Sequence, residues 1–123
     1  MFEREWRFYL DDMIQFSEKV LVYTEGLDQE RFEADEKAYD ATIRKLELIG
    51  EAATHIPDKI REASSSISWR KVIATRNRLI HGYLGIDNDI LWSIIQDDIP
   101  VLLQDLKSLK DQRLSDEVLQ SGY

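Results

Sequence analysis

The chain contains no cysteine, which excludes a disulfide framework and any thiolate metal site. That absence fits a reducing compartment. Two prolines and five glycines in 123 residues leave few positions that break a regular backbone. No stretch approaches the roughly 18 consecutive apolar residues of a membrane-spanning helix. The opening residues, Met1-Phe2-Glu3-Arg4-Glu5-Trp6, place charges where a secretory leader needs an apolar core. A cytoplasmic protein, folded as one domain over residues 1–123 and without membrane contact, is expected. Bases are scarce against acids, 16 to 24. Broad, non-specific binding to nucleic acid is disfavoured, because most of the surface would repel a polyanion.

One absence is local. From Ala63 through Ile86 there is no acid, while Arg70, Lys71, Arg76 and Arg78 all fall there. The segment carries +4 against −12 elsewhere, which together make the −8 of the chain. A segment cleared of acids suits an anion, and a focused basic site remains open to this otherwise acidic protein.

What is present is helical periodicity. Trp6, Tyr9, Leu10, Met13, Phe16, Val20 and Tyr23 recur at three and four and predict a helix from about Arg4 to Glu25, closed by Gly26. Phe32, Tyr39, Ile43, Leu46, Ile49 and Ala53 predict a second, from Asp28 or Arg31 to His55, with Asp28 as a cap and Pro57 as a stop. Gly50-Glu51-Ala52-Ala53 marks a place where another helix can approach closely. A short turn at Asp58–Ala63 and a Ser-rich loop precede a third helix, capped by Ser66 or Ser68 and running to about Ile80. Asp87 or Asn88 caps the fourth, whose stripe runs from Ile90 to Leu109 with Pro100 inside it. Pro100 predicts a kink, and residues 112–123 are expected to fray or to pack only on a partner. No strand pattern is present. The fold expected is all-α: an up-and-down four-helix bundle with a kinked last helix.

Chemistry concentrates on the third helix. Trp69, Val72, Ile73, Arg76, Leu79 and Ile80 share one stripe, so Arg76 occupies a place that periodicity assigns to an apolar residue. Two readings stand. Arg76 snorkels or pairs with a carboxylate such as Glu51, or it faces a cleft and holds a phosphate. Asn77 lies four residues before His81, so both can reach one point; alternatively Asn77 bonds the helix end. His81 closes the helix, where the dipole favours imidazolium, and general acid–base work needs a group of this kind. A capping histidine without chemistry is the plainer alternative. His55 reads as a cap or surface residue. Tyr83, past Gly82, reaches the same cleft or simply packs its ring. Arg70, Lys71 and Arg78 form a phosphate-attracting rim or a solvated helix face. Two distant histidines do not make a metal site, and neither metal nor cofactor is expected.

The string Arg76-Asn77-Arg78-Leu79-Ile80-His81-Gly82-Tyr83 resembles the Arg-x4-His-x-Tyr signature of HepT-like HEPN toxins. Asp40-Ala41 through Ala52-Ala53, Trp69, Ile86-Asp87, Leu91-Trp92, Ile94-Ile95 and Ile99-Pro100 resemble flanking blocks of that family, so the likeness covers roughly residues 4–110. The resemblance implies a homodimer with the motif lining a cleft between subunits. It also implies a metal-independent ribonuclease, silenced when an MntA-like nucleotidyltransferase antitoxin adenylylates the motif tyrosine, here Tyr83. Arg76, Asn77 and His81 are then the catalytic set, and Arg70, Lys71 and Arg78 meet RNA. A non-catalytic subunit presenting substrate or nucleotide to a nucleotidyltransferase is the competing expectation. A dimeric helical scaffold is the third.

Overall fold

The computed structural model describes the backbone of residues 2–82 and 85–121, and side chains over residues 5–80, at Gly82 and over residues 85–112. All regular structure among these residues is helical: α1 Phe2–Thr24, α2 Gln29–Ala34, α3 Glu36–Thr54, α4 Asp58–Ala63, α5 Trp69–His81, α6 Asn88–Ser93, a π-helical turn Ile94–Asp98, and α7 Ile99–Ser121. Helix α6, the π turn and α7 follow without interruption, so four long helical stretches form the bundle, with α2 and α4 as short connectors. No described helix is long and apolar enough to cross a membrane.

Three aspartates start helices in the same way. Asp28 accepts from the Arg31 N–H at 2.8 Å and Asp35 from the Ala38 N–H at 3.0 Å. Asp87 accepts from the N–H groups of Asp89 and Ile90. Each such cap is worth about 1 kcal/mol. The expected second helix is corrected here. Asp35 has extended backbone angles, donates its N–H back to Arg31 and Phe32, and divides the segment into α2 and α3. Its side chain competes for backbone hydrogen bonds, which is why aspartate favours helix starts over interiors. Gly26, at φ +75°, ends α1 in the left-handed conformation that its lack of a Cβ allows.

The core runs along α1, α3 and the last helical stretch. Leu10, Met13, Ile49, Ile95 and Leu106 are each at most 2 % exposed. Full burial of a side chain of this kind contributes about 1.5–3 kcal/mol. Helix α1 packs on α3 and α7, whereas α5 packs chiefly on α3 and lies at the edge. Among the described side chains of α5 only Trp69 is buried, while Val72, Ile73 and Leu79 are half-buried.

The irregularity expected at Pro100 is a π turn just ahead of it. Ile99 donates its N–H to the Ile94 carbonyl, five residues back. Pro100 has no N–H for the Gln96 carbonyl, and its ring would crowd that oxygen in a regular turn; a wider turn relieves both. The helix then continues to Ser121.

Candidate active site

Helix α5 starts at Ser68, whose side chain makes no capping bond. Its first residue anchors it instead: Trp69 is buried, and its indole N–H donates to the Ser64 carbonyl at 3.2 Å. Two turns on, α5 meets α3 at Gly50. A Cβ on Gly50 would stand 2.2 Å from Cβ of Arg76 and 3.1 Å from the Val72 carbonyl oxygen. Glycine is thus the residue that lets the stem of Arg76 lie flat on α3. The close approach read from Gly50-Glu51-Ala52-Ala53 has α5 as its partner.

The head of Arg76 is held from two sides. Its Nη2 lies 2.7 Å from Oε2 of Glu51, on α3, and its Nη1 donates to Oδ1 of Asn77 at 2.8 Å. Its Nε is buried and has no hydrogen-bond partner among the described residues. A guanidinium has five donor hydrogens. Asn77 takes one on Nη1, Glu51 stands against Nη2, and Nε is enclosed. The side chain keeps 29 % of its surface accessible, so it is not closed to a ligand. The Glu51 side chain is 48 % exposed, which puts the ion pair among those worth about 0.2–1 kcal/mol. Its consequence is orientation more than stability.

Glu51 has a second neighbour. Its Oε1 lies 3.5 Å from Nε2 of His55, one turn on along α3. The His55 ring stacks on Tyr9 of α1, with centroids 4.2 Å apart and planes 11° from parallel. One chain of contacts thereby runs from α1 through α3 to Arg76 on α5. His55 is the C-cap of α3, as read from the sequence, and is also part of this chain.

The acid-free segment is less isolated in space than in sequence. Lys71 Nζ lies 3.0 Å from Oδ2 of Asp98 on the π turn, and Arg76 has Glu51. Arg70 and Arg78 are exposed and have no ion-pair partner among the described residues. Between α5 and the last helical stretch runs an apolar groove of about 200 Å³, with Val72 and Thr75 on one wall and Ile94 and Val101 on the other.

His81 ends α5, followed by Gly82 as C-cap. A Cβ on Gly82 would lie 2.6 Å from the Arg78 carbonyl oxygen, so glycine is needed where the chain leaves the helix. The His81 side chain and the whole of Tyr83 fall outside the described residues. Of the expected site residues, the structure brings Arg76 and Asn77 into contact, forms the pair with Glu51 that was one of the two readings of Arg76, and adds His55. Glu51 and His55 stand four apart in sequence, on one helix face directly after an interior glycine, and that spacing is the signal that could have grouped them.

Fold and motif define a class: an all-α, HEPN-like bundle with an Arg-x4-His helix at its edge. The family described as "Ribonuclease HepT-like" matches residues 13–109. A protein of Methanocaldococcus jannaschii named "Putative RNase" is 33 % identical over 107 residues, covering 87 % of this chain and 98 % of the relative. "Probable ribonuclease HepT" of Thermococcus cleftensis is 35 % identical over 108 residues, covering 88 % and 98 %. A "Putative RNase" of Caldanaerobacter subterraneus is 34 % identical over 101 residues, covering 82 % and 90 %. No solved structure matches the chain significantly. The chain belongs to the HepT-like ribonuclease family.

Proposed function

We propose that this chain is a metal-independent endoribonuclease, the toxin of a toxin–antitoxin pair whose other member is an MntA-like nucleotidyltransferase. The observation that carries the reading is Arg76. It stands on an apolar stripe, is held by Glu51 and Asn77, and stays partly accessible at the edge of the bundle. Family membership supplies the substrate class.

In the reaction proposed, the RNA 2′-oxygen attacks the adjacent phosphorus and the 5′-oxygen departs. A 2′,3′-cyclic phosphate and a 5′-hydroxyl result. His81 takes the proton of the 2′-hydroxyl or gives one to the leaving oxygen. Arg76 holds the phosphate and stabilises the negative charge gathering on it. Asn77 orients Arg76 through the bond it accepts, and His81 by hydrogen bonding. Arg70, Lys71 and Arg78 draw in the RNA backbone, with Lys71 shared with Asp98. One motif histidine per chain is short of an acid and a base together, and a homodimer that joins two copies of the site supplies both. Adenylylation of Tyr83 silences the toxin by adding bulk and negative charge beside His81 and Arg76. A cytoplasmic setting goes with the substrate.

The test is incubation of purified protein with total RNA in EDTA, with and without the nucleotidyltransferase and ATP, and mass spectrometry of Tyr83. Cleavage that is abolished in both His81→Ala and Arg76→Ala is the expected result. Undiminished cleavage by His81→Ala overturns the assignment. One observation favours a second reading, a non-catalytic subunit that presents a ligand to a nucleotidyltransferase: two of the four bases are already paired with acids. That reading predicts ligand binding and altered partner activity with no cleavage.

A further inference from the structure

We propose that Glu51 is a positioning residue, which fixes the Arg76 guanidinium for phosphate recognition and is itself steadied by His55 and Tyr9. The proposal builds on the ribonuclease reading for its substrate, but the arrangement it describes is observed independently. Four features support it.

First, Gly50 removes the side chain that would otherwise push the stem of Arg76 off α3, since a Cβ there would stand 2.2 Å from Arg76 Cβ. Second, the next residue, Glu51, takes the head of the same arginine at 2.7 Å. Third, the other oxygen of that carboxylate faces His55 Nε2 at 3.5 Å, and the imidazole ring is stacked on Tyr9. The carboxylate is thus approached on both oxygens, by Arg76 and by His55. Fourth, Arg76 Nε is buried and has no partner among the described residues, so the guanidinium lies inward against the protein and not out in solvent.

The held geometry has a chemical consequence. Glu51 stands against Nη2, and Asn77 accepts from Nη1. Both nitrogens belong to one planar fork, so holding them fixes the plane in which the open part of the guanidinium meets phosphate oxygens. Holding a long side chain in advance also removes rotamer entropy that binding would otherwise cost. Against this, the negative charge of Glu51 opposes the phosphate. Position and charge therefore act in opposite senses, and two substitutions separate them. Glu51→Gln keeps an acceptor oxygen for Arg76 and removes the charge. Glu51→Ala removes both.

The test measures cleavage kinetics in EDTA and, on the same folded proteins, the arginine side-chain N–H signals by NMR. Circular dichroism and thermal midpoint establish that each variant folds. Glu51→Gln is expected to keep kcat within about threefold and to lower KM, because repulsion is relieved. Glu51→Ala is expected to lose about ten- to a hundredfold in kcat, the scale of a misplaced reactive group. Glu62→Gln, an exposed residue away from the site, removes the same charge and is expected to change neither constant. In the NMR spectrum Glu51→Ala frees the Arg76 signals and Glu51→Gln keeps them restrained. An unchanged kcat in Glu51→Ala, or equal losses in both Glu51 variants, overturns the proposal. If the wild-type chain cleaves no RNA, the ribonuclease reading fails by itself. Positioning is then judged by the NMR signals alone: Arg76 released only in Glu51→Ala supports it, and Arg76 equally mobile in all three proteins rejects it.

Discussion

Arg76 shows how much one side chain's surroundings decide. Its neighbours on α3 and α5 use the fork geometry of guanidinium, with one nitrogen toward Glu51 and another toward Asn77. Lysine has a single ammonium and cannot span both. Arg76→Lys is therefore expected to retain the positive charge and still lose at least tenfold in kcat, read in the same RNA assay; full activity in that variant would show that charge alone suffices. Tyr39 offers a second test at this scale. Its hydroxyl donates to Asn88 Oδ1 at 2.5 Å, and Asn88 donates in turn to Glu33, which pins the start of α6 beyond the motif. Burial, then the carboxylates of Glu33 and Asp40, raise its pKa above the ordinary tyrosine value. The folded state thus holds the proton more tightly than the unfolded chain. The stabilisation is complete below the unfolded pKa of about 10 and falls as pH rises through the folded value. Thermal midpoints between pH 8 and 11 should show wild type losing its advantage over Tyr39→Phe as alkalinity grows. A constant difference across that range would mean that the hydroxyl is not coupled to folding.

Among the elements, the contact between α3 and α5 makes a counterintuitive prediction. Alanine is favoured over glycine in a helix interior by about 1 kcal/mol. At Gly50 the added Cβ would collide with Arg76 Cβ and press on the Val72 carbonyl, so α5 must move. Overpacking of this kind costs about 1–3 kcal/mol. Gly50→Ala is expected to lower the denaturation midpoint in urea and to weaken RNA cleavage together, whereas a gain in stability would show that α5 shifts freely. The division between α2 and α3 rests on Asp35. Asp35→Ala should cost about 1 kcal/mol, the worth of an N-cap, with little effect on cleavage. The helical stripes and the caps at Asp28 and Asp87 were legible because they depend on residues within one or two turns. The break at Asp35 was not, because an aspartate within a periodic pattern reads equally well as a residue on the wet face.

For the whole molecule the governing feature is a net charge of −8 carrying a small basic edge. The acid-free segment suggested four cations free to meet RNA. In the folded chain the last helical stretch brings Asp98 to Lys71, and α3 brings Glu51 to Arg76. Arg70 and Arg78 have no such partner among the described residues. Arg70→Ala should therefore weaken RNA affinity more than Lys71→Ala does, because Asp98 already occupies the Lys71 ammonium, whereas Arg70 has no acid to leave before it meets a phosphate. With about three phosphates engaged per chain, log affinity should fall with log salt at a slope of about −2, from roughly −0.7 per contact on a single strand. Titrations at several salt concentrations measure both effects, and equal losses from the two substitutions would place Lys71 on the RNA in spite of Asp98.

The sequence by itself determined the class of the fold, because helix period, aspartate caps and scarce breakers are local properties. It also determined the family, because the Arg-x4-His-x-Tyr string and its flanking blocks are read along the chain. It narrowed Arg76 to two roles, a partner for Glu51 or a holder of phosphate. Only the tertiary structure placed Gly50 beneath Arg76, Glu51 at its head and His55 behind Glu51. It shows the ion pair formed while the side chain stays partly accessible, so the two roles are compatible. The distance from Glu51 to Arg76 is one of packing between α3 and α5, and no periodicity within a single helix encodes which residue of a neighbouring helix will stand opposite.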